Sequence, residues 1–356
     1  MRGWRSEVRD DEGVFSELAD WWDSQPATQD NPFLTTRILR CWENGVDEPD
    51  SRLRVFLLYR HGELVAGLPL YRARGRYRSL HREHTEPFDV VATPDPETAE
   101  YLPRWVDSLP VAHLYRVPEH SPLVRAVGER PRWNVQQVFE RPYVDLTCGI
   151  EAVWERMSKS HRKNLRRRLR RLEELGDLTF VRHSEATDLE AALREGLLLQ
   201  VRGWKGEHGH AVLNNPIHEH WYRSLFEVAE DAGWLRASSL YLDDRLLSFD
   251  LGIQFNGVDH GMLSAYDEST DVKALSTGNI LLKFLFESGS ASGVWRFELG
   301  SGSDRWKLQW TRERDLVYDL LVFGSGLRGR GLSLLRNSLR PPKPVITPGE
   351  PLNGSS

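Results

Sequence analysis

Between Trp234 and Tyr266 three apolar runs, WLRASSLYL, LLSFDLGIQF and VDHGMLSAY, follow one another with only Asp243-Asp244-Arg245 and Asn256-Gly257 between them. Runs of this length bounded by turn residues read as strands. Asn-Gly between two of them is a strong hairpin signal, because both turn residues must take positive φ. An antiparallel triplet is thus set in the second half of the chain, and the neighbouring segments have to pack on it. Ahead of it, LTFVRH is a strand, Leu189–Trp204 a helix with Leu193, Leu197 and Leu198 on one side, and Gly203–Asn214 a loop rich in Gly and His. Asn215-Pro216 then starts a helix that holds Ile217, Trp221, Leu225 and Val228 at helical spacing. Behind it, a helix opens at Ser276 or Thr277 and runs through Phe286. The strand VWRFEL, the glycine turn Gly300–Gly302 and a last strand LVYDLLVF follow.

The first half reads as a smaller set of similar pieces. A helix is expected over Val14–Trp22, and Asn31-Pro32 should cap another that runs through Phe33, Ile38, Leu39 and Trp42. LRVFLLYR and ELVAGLPLYR, separated by His61-Gly62, form a hairpin. Arg72–Arg82 reads as a loop, Pro96–Trp105 and Ser121–Val127 as helices, and VAHLYRV and NVQQVFERPYVDL as strands. The expectation is an α/β (α+β) chain of two domains, 1–150 and 151–326. The Pro-, Gly- and Ser-rich tail 327–356 is expected to be largely disordered.

Where the two halves meet, SKSHRKNLRRRLRRLEEL (158–175) carries the densest positive charge in a chain whose net charge is −5. Leu165, Leu169 and Leu172 recur at i, i+4 and i+7, and Trp154 and Met157 extend the stripe backward, so one amphipathic helix from about Glu151 is expected. Arg162, Lys163, Arg166, Arg167, Arg170 and Arg171 are left on its other faces. Like charges at i,i+4 cost about 0.2–0.5 kcal/mol per pair, so something must offset them. Either the chain's own carboxylates do so, beginning with Glu173 and Glu174, or the helix serves a phosphorylated substrate or RNA.

Two cysteines far apart, Cys41 and Cys148, make neither a disulfide framework nor a metal cluster, and the His208/His210 and His218/His220 pairs lack ligand spacing, so no metal is expected. The charged first residues and the lack of a run of about 18 apolar residues point to a cytoplasmic protein with no membrane span.

The order strand, two helices, three antiparallel strands, helix, strand, short helix, strand resembles the GNAT acyltransferase fold. The chain looks most like the Fem-type and CelD/BcsL-type proteins, in which two GNAT-like domains stand in tandem, each a mixed, mostly antiparallel sheet flanked by helices. The resemblance is carried by NPF (31–33), GELVAGLPL (62–70), SHRKNLRRRLRRL (160–172), LSTGNILL (275–282) and GSGSDRWKLQW (300–310). It implies acyl transfer to an amine, from aminoacyl-tRNA in the Fem group or from acyl-CoA such as acetyl-CoA in ordinary GNAT enzymes. Of the CoA loop pattern Arg/Gln-x-x-Gly-x-Gly/Ala, this chain has KALSTGN. Ser276, Thr277, Gly278 and Asn279 could still offer backbone amides to a phosphate, or simply cap a helix.

Lys307 matches the lysine that follows the glycine turn in Fem-type proteins, where it is associated with the donor and the developing charge. An exposed lysine lying over Trp306 and Trp310 is the alternative. For the base, Asp267 follows Tyr266 at the end of the third strand. Glu298 competes with it, and Asp250 lies inside a strand, where a carboxylate needs a partner or a water-lined cleft. Arg162, Lys163, Asn164 and Arg166 would hold a phosphorylated amine acceptor or tRNA, and Trp204 would line an acceptor cleft. The competing expectation is a non-catalytic protein that binds nucleic acid or phosphoglycan through the basic helix 158–172.

Overall fold

The computed structural model describes residues 3–42 except 12, and then 51–80, 85–109, 111–130, 132–183 and 186–326; the tail 327–356 lies outside the described residues. In chain order the elements are β1 (Trp4–Arg9), α1 (Val14–Trp22), the one-turn helices α2 (Pro26–Gln29) and α3 (Thr36–Leu39), β2 (Arg52–Arg60), β3 (Glu63–Ala73), β4 (Arg76–Ser79) and β5 (Val91–Ala92). Next come α4 (Pro96–Val106), β6 (Val111–Pro118), α5 (Pro122–Arg125), β7 (Trp133–Asp145), α6 (Gly149–Arg156), α7 (Lys159–Glu173), β8 (Leu178–His183), α8 (Ala186–Arg202), α9 (Trp204–Glu207) and α10 (Pro216–Asp231). The chain ends with β9 (Leu235–Leu242), β10 (Arg245–Phe255), β11 (Val258–Tyr266), α11 (Thr277–Ala291), β12 (Arg296–Glu298) and β13 (Arg314–Phe323).

The chain divides into two compact units, Met1–Glu140 with Asp315–Ser356, and Arg141–Arg314. Each is a mixed, mostly antiparallel sheet with helices. In the first, the strand order is β1-β2-β3-β4-β6-β13, with β5 beside β3 and only β4–β6 parallel. In the second it is β7-β12-β11-β10-β9-β8, with only β11–β12 parallel. These boundaries differ from 1–150 and 151–326. LVYDLLVF returns to pair with β6 (Leu320↔Leu114, Val322↔Ala112), and the end of β7 pairs with β12 (Val144↔Phe297). Sequence order assigns both segments to the nearer half; long-range pairing assigns them otherwise.

Both hairpins form as their turn residues require, with His61 and Gly62 at φ 53 and 94 and Asn256 and Gly257 at φ 46 and 77. The single helix expected from Glu151 is instead two. Met157 and Ser158 are extended, and the Ser158 hydroxyl accepts the His161 N–H at 3.1 Å, so α7 has its own N-cap. The helix expected from Asn31 is likewise broken. Asn31 caps a 3₁₀ turn at Pro32–Leu34, extended Thr35 caps α3, and a second 3₁₀ turn takes Arg40–Trp42. β4 replaces part of the Arg72–Arg82 loop, and α9 lies within the segment read as loop after Gly203.

The core of the second unit explains where α7 sits. Leu165 and Leu172 are buried and Leu169 partly so, against Ile280, Leu281, Leu285 and Phe286 of α11 and Leu240, Leu247 and Phe297 of the sheet. Each such side chain contributes about 1.5–3 kcal/mol on burial. The apolar stripe therefore fixes α7 against the layer that contains α11, with its arginines outward.

Candidate functional site

The first turn of α11 lies beside the end of β11. Ser276, just before the helix, is in the left-handed region (φ 54, ψ 55), and no side chain caps the helix. Thr277 does not cap it because its hydroxyl donates to Leu247 O at 3.2 Å, while its carbonyl accepts from the Ser248 hydroxyl. The N–H groups of Asn279 and Ile280 turn back to Ser276 O, so those of Thr277 and Gly278 are left without an intrahelical acceptor. Asn279 accepts the Trp310 indole N–H at 2.9 Å, which ties the segment after the glycine turn to this helix end. Tyr266 closes the group: a Cβ on Gly278 would stand 3.8 Å from its ring.

On its other side Tyr266 lines an open cleft with Gln200, Trp204, Lys205, Ser264 and Glu268. Trp204 and Tyr266 are each 42% exposed, much for large aromatics in a folded unit. β11 is offset within the sheet by a bulge at Met262, since Leu251 pairs with Leu263 but Gly252 with Gly261. Bulges re-aim side chains at strand ends, which is where Tyr266 stands. Burial, followed by the Glu268 carboxylate, raises the Tyr266 phenol above its ordinary value, so it stays protonated near neutrality.

The carboxylates expected from the sequence are each engaged elsewhere. Asp267 accepts from Arg245 Nε at 2.8 Å and from the Ser269 N–H at 2.9 Å. Burial acts to raise its pKa, but the hydrogen bonds from Ser269 and Arg245 outweigh it and hold the group below the usual range. Glu298 is buried between Arg141 (3.1 Å) and Arg296 (2.6 Å). Asp250 is bound by Arg236 at 2.7 Å, which also holds Asp259 at 2.6 Å; burial pushes both carboxylates up. Lys307 is not the exposed lysine that formed the alternative reading. It is buried, donates to Gly300 O (3.1 Å) and Ser301 O (2.8 Å), lies 3.5 Å from Asp304, and so closes the glycine turn.

On α7, Arg162, Lys163, Arg166, Arg167, Arg168, Arg170 and Arg171 form no ion pair among the described residues, Glu173 and Glu174 included. Asn164 is half-buried between them. α7 packs on Lys273–Leu275, the turn that leads into Ser276, and on α11 itself. His161 anchors its first turn, buried edge-on against Trp310 with ring centroids 5.6 Å apart. Burial and then Arg168 hold its pKa low, so it is neutral. The unpaired cations therefore adjoin the uncapped helix end.

Sequence reasoning missed Glu268. Side chains alternate along a strand, so the residue that shares a side with Tyr266 is two positions on, while Asp267 turns toward Arg245. Elsewhere, His183 stands 2.9 Å from both Asp188 and the Ser239 hydroxyl, the spacing of a nucleophile triad. Ser239 is fully buried, so that arrangement ties β8, β9 and α8 together rather than meeting a substrate. Among the described residues no cluster of three potential metal ligands occurs, and no helix is long and apolar enough to cross a membrane.

Residues 159–308 match the sequence profile of the acetyltransferase (GNAT) domain family. A comparison with curated protein sequences finds no match. Among solved structures the chain is similar to FemX (TM-score 0.59, 10% identity, 92% of this chain and 99% of that one). It is also similar to L-PGS from Bacillus licheniformis (0.53, 14%, 93% and 97%). A third similar structure is the C-terminal domain of a putative lysylphosphatidylglycerol synthetase from Agrobacterium fabrum (0.52, 14%, 92% and 97%). At such identities the likeness is one of fold. Residues 159–308 are therefore a GNAT-family acyltransferase domain, carried in a chain that takes the fold of FemX over 92% of its length.

Proposed function

We propose that the protein is an N-acyltransferase that takes an activated acyl group from a phosphate-bearing carrier and passes it to an amine beside Tyr266. One observation carries this reading: an uncapped helix end with Gly278 adjoins a helix whose arginines have no carboxylate partner. A helix N-terminus carries about half a positive charge and turns free N–H groups outward, which suits phosphate. Arg162, Lys163 and Arg166 would meet phosphates, and Asn164 would add a neutral donor. Lys307 would act through the turn it closes, keeping Trp310 on Asn279.

Charged tRNA is the donor we favour. The cations from Arg162 to Arg171 extend over roughly 13 Å of helix at 1.5 Å per residue, more than a single pyrophosphate can neutralise. KALSTGN also departs from the CoA loop pattern. Acetyl-CoA remains the second reading because Thr277 and Gly278 still present unpaired amides at the helix end. The same juxtaposition favours an enzyme over a non-catalytic nucleic-acid binder, since a binder has no use for an exposed tyrosine between an anion site and a cleft. The test is to supply the full-length protein with radiolabelled acetyl-CoA and, separately, with a pool of charged tRNAs, against a panel of small and phosphorylated amines. Transfer from charged tRNA that weakens steeply with salt is expected. Turnover with acetyl-CoA alone would move the donor assignment, and none with either would remove the proposal.

A further inference from the structure

We propose that the cleft beside Tyr266 receives the acceptor as a protonated amine, its ammonium between Glu268 and the ring faces of Trp204 and Tyr266, with Glu268 as the base that takes its proton. This rests on the acyl-transfer reading and names the acceptor's chemistry and the group that activates it.

The argument starts from what an amine needs. Near neutral pH it arrives as an ammonium ion, which must be desolvated, held and deprotonated before nitrogen can attack. Exposed aromatic faces attract such a cation by about 0.5–2 kcal/mol, and a carboxylate both pairs with it and accepts its proton. In the second unit, Asp267, Glu298 and Asp250 are each bound by arginine. Glu268 is held more loosely. Its Oε1 accepts the Trp204 backbone N–H at 3.4 Å, and the Tyr266 phenol is within hydrogen-bonding reach. Its cationic neighbour, Lys273 at 3.8 Å, is 66% exposed and so strongly screened.

The other titratable groups around the cleft do not compete for an ammonium. Lys205 donates to Ser264 O at 3.1 Å. His208 is turned to Trp204 O at 2.7 Å, and the rings of His208 and His210 lie 6.1 and 6.4 Å from that of Trp204. Tyr266 completes the chemistry because it touches both sides. Its ring lies against Gly278 at the carrier site, and its hydroxyl is near Glu268 in the cleft.

The step balances with these two groups. Glu268 takes one proton from the ammonium, and the freed nitrogen pair attacks the acyl carbon. The C–N bond forms while the carbonyl electrons move to oxygen. Collapse of the tetrahedral adduct breaks the bond from carbon to the carrier's oxygen or sulfur. The Tyr266 hydroxyl protonates that leaving atom and is refilled by the second proton from nitrogen. The products are an amide, the protonated carrier and a proton on Glu268 that passes to water.

The test uses full-length protein and the isosteric pair n-butylammonium and 1-butanol, titrated by calorimetry. Binding of the ammonium ion and not the alcohol is expected, weakened at least about tenfold in Glu268→Gln, consistent with loss of a charge-assisted pair. Trp204→Leu should weaken it several-fold. Alcohol binding as tight as the ammonium, or undiminished ammonium binding in Glu268→Gln with an unchanged melting temperature, overturns the subsite. Because this titration needs no donor, its outcome is separate from whether transfer is found. In the transfer assay, Glu268→Gln should lower kcat/KM by roughly 10²–10³ and lose the rise of rate with pH seen in the wild type, with partial rescue by Glu268→Asp. A Glu268→Gln enzyme with wild-type kcat/KM and pH profile overturns the base assignment while leaving acyl transfer intact.

Discussion

Both units contain the same passage of structure, and they differ at one end of one helix. In the first, β2, β3 and β4 form an antiparallel triplet, α4 follows, and β6 returns parallel to β4 (Tyr77↔Ala112, Arg78↔His113). In the second, β9, β10 and β11 form the triplet, α11 follows, and β12 returns parallel to β11 (Val258↔Arg296, His260↔Glu298). α4 starts with extended Asp95, whose Oδ1 accepts the Thr98 N–H at 2.9 Å, and with Pro96 at its first position. Arg60 pairs with the same carboxylate at 2.7 Å. Burial acts to raise the Asp95 pKa, but hydrogen bonds from Thr93, Thr98 and Arg60 outweigh it and keep the group ionised far into acid. The positive end of α4 is thus filled by the chain's own anion. The corresponding end of α11 has a left-handed Ser276, no cap, and glycine at the second position. One architecture yields a closed helix end and an open one, and only the open one can take a carrier's phosphate. The expectation that the first domain supports binding without the acyl-transfer groups acquires a physical form here, and it is tested by exchanging the two ends.

The largest effect should come from closing the open end. Gly278→Asp places a carboxylate on α11's first turn, where its Cβ has room at 3.8 Å from Tyr266. An acid in the first turn stabilises a helix by about 0.3–1 kcal/mol, so the melting temperature should hold or rise. If the carrier's charge is stabilised there, turnover should fall by roughly 10²–10³, or about 2.7–4 kcal/mol. Full turnover in this variant would show that the open end is not the carrier site, and the contrast between the units would be architectural only.

The next effect separates the units by pH. In the second, burial, followed by Arg141 and Arg296, pushes the His260 imidazole down to about 3, below its unfolded value near 6.5. The folded state then binds fewer protons than the unfolded between those values. This contribution to stability is fully present above about 6.5 and is lost as pH falls toward 3. In the first unit, burial drives Asp89 the other way, up to about 7, against hydrogen bonds from the Ser121 hydroxyl and the Val90 N–H. There the folded state binds more protons between about 4 and 7, so the contribution is present in acid and lost as pH rises through 7. Each slope can reach about 1.4 kcal/mol per pH unit, with opposite signs. Melting temperatures of His260→Gln and Asp89→Asn against wild type across pH 4–8 should give difference curves of opposite slope. Parallel curves would break this part of the comparison.

What was legible in the sequence follows the same division between local and distant causes. Hairpins at His61-Gly62 and Asn256-Gly257 depend on turn residues that carry their own conformational signature. Helix α10 was legible because Asn215 caps it through two N–H groups. The break between α6 and α7 was not, although Ser158 is a good N-cap, because the apolar stripe runs on through Met157 and hides it. β1 went unread because an edge strand in which Arg5, Ser6 and Val8 are exposed shows no apolar period. β13 was assigned to the wrong neighbours because its partner, β6, is about two hundred residues away. In the site, Ser276–Asn279 and Tyr266 come together because strand and helix are consecutive. The fate of Asp267, Glu298 and Lys307 rested on Arg245, Arg141 and the carbonyls of Gly300 and Ser301, partners that only the folded chain supplies.

A smaller effect is expected from opening the closed end. Asp95→Ala removes the cap of α4 and the partner of Arg60. Loss of such a cap costs about 1 kcal/mol, within a range of 0.5–2. The loss should appear in urea unfolding with an unchanged m-value and unchanged turnover, since nothing in the first unit is assigned to the chemistry. A fall in turnover at constant stability would instead place a functional anion site at α4 as well, and the two helix ends would be alike.

The smallest effect on stability should come from the basic helix. Arg162→Ala with Arg166→Ala leaves Leu165, Leu169 and Leu172 in the core and removes two cations that have no carboxylate partner among the described residues. Surface changes of this kind move stability within about ±0.5 kcal/mol, and relief of like-charge repulsion along α7 makes a slight gain as plausible as a loss. Affinity for charged tRNA should respond differently. Each phosphate contact contributes about 0.7–0.9 to the slope of log affinity against log salt, so losing two should flatten that slope by roughly 1.4–1.8. Acetyl-CoA, with few phosphates, would show a small slope in either protein. Nitrocellulose-filter binding of charged tRNA across a salt series, beside a melting curve for each protein, reads both quantities. An unchanged slope with a lowered melting temperature would mean that these arginines stabilise the fold rather than bind a carrier, and the open end of α11 would then have to hold its phosphate alone.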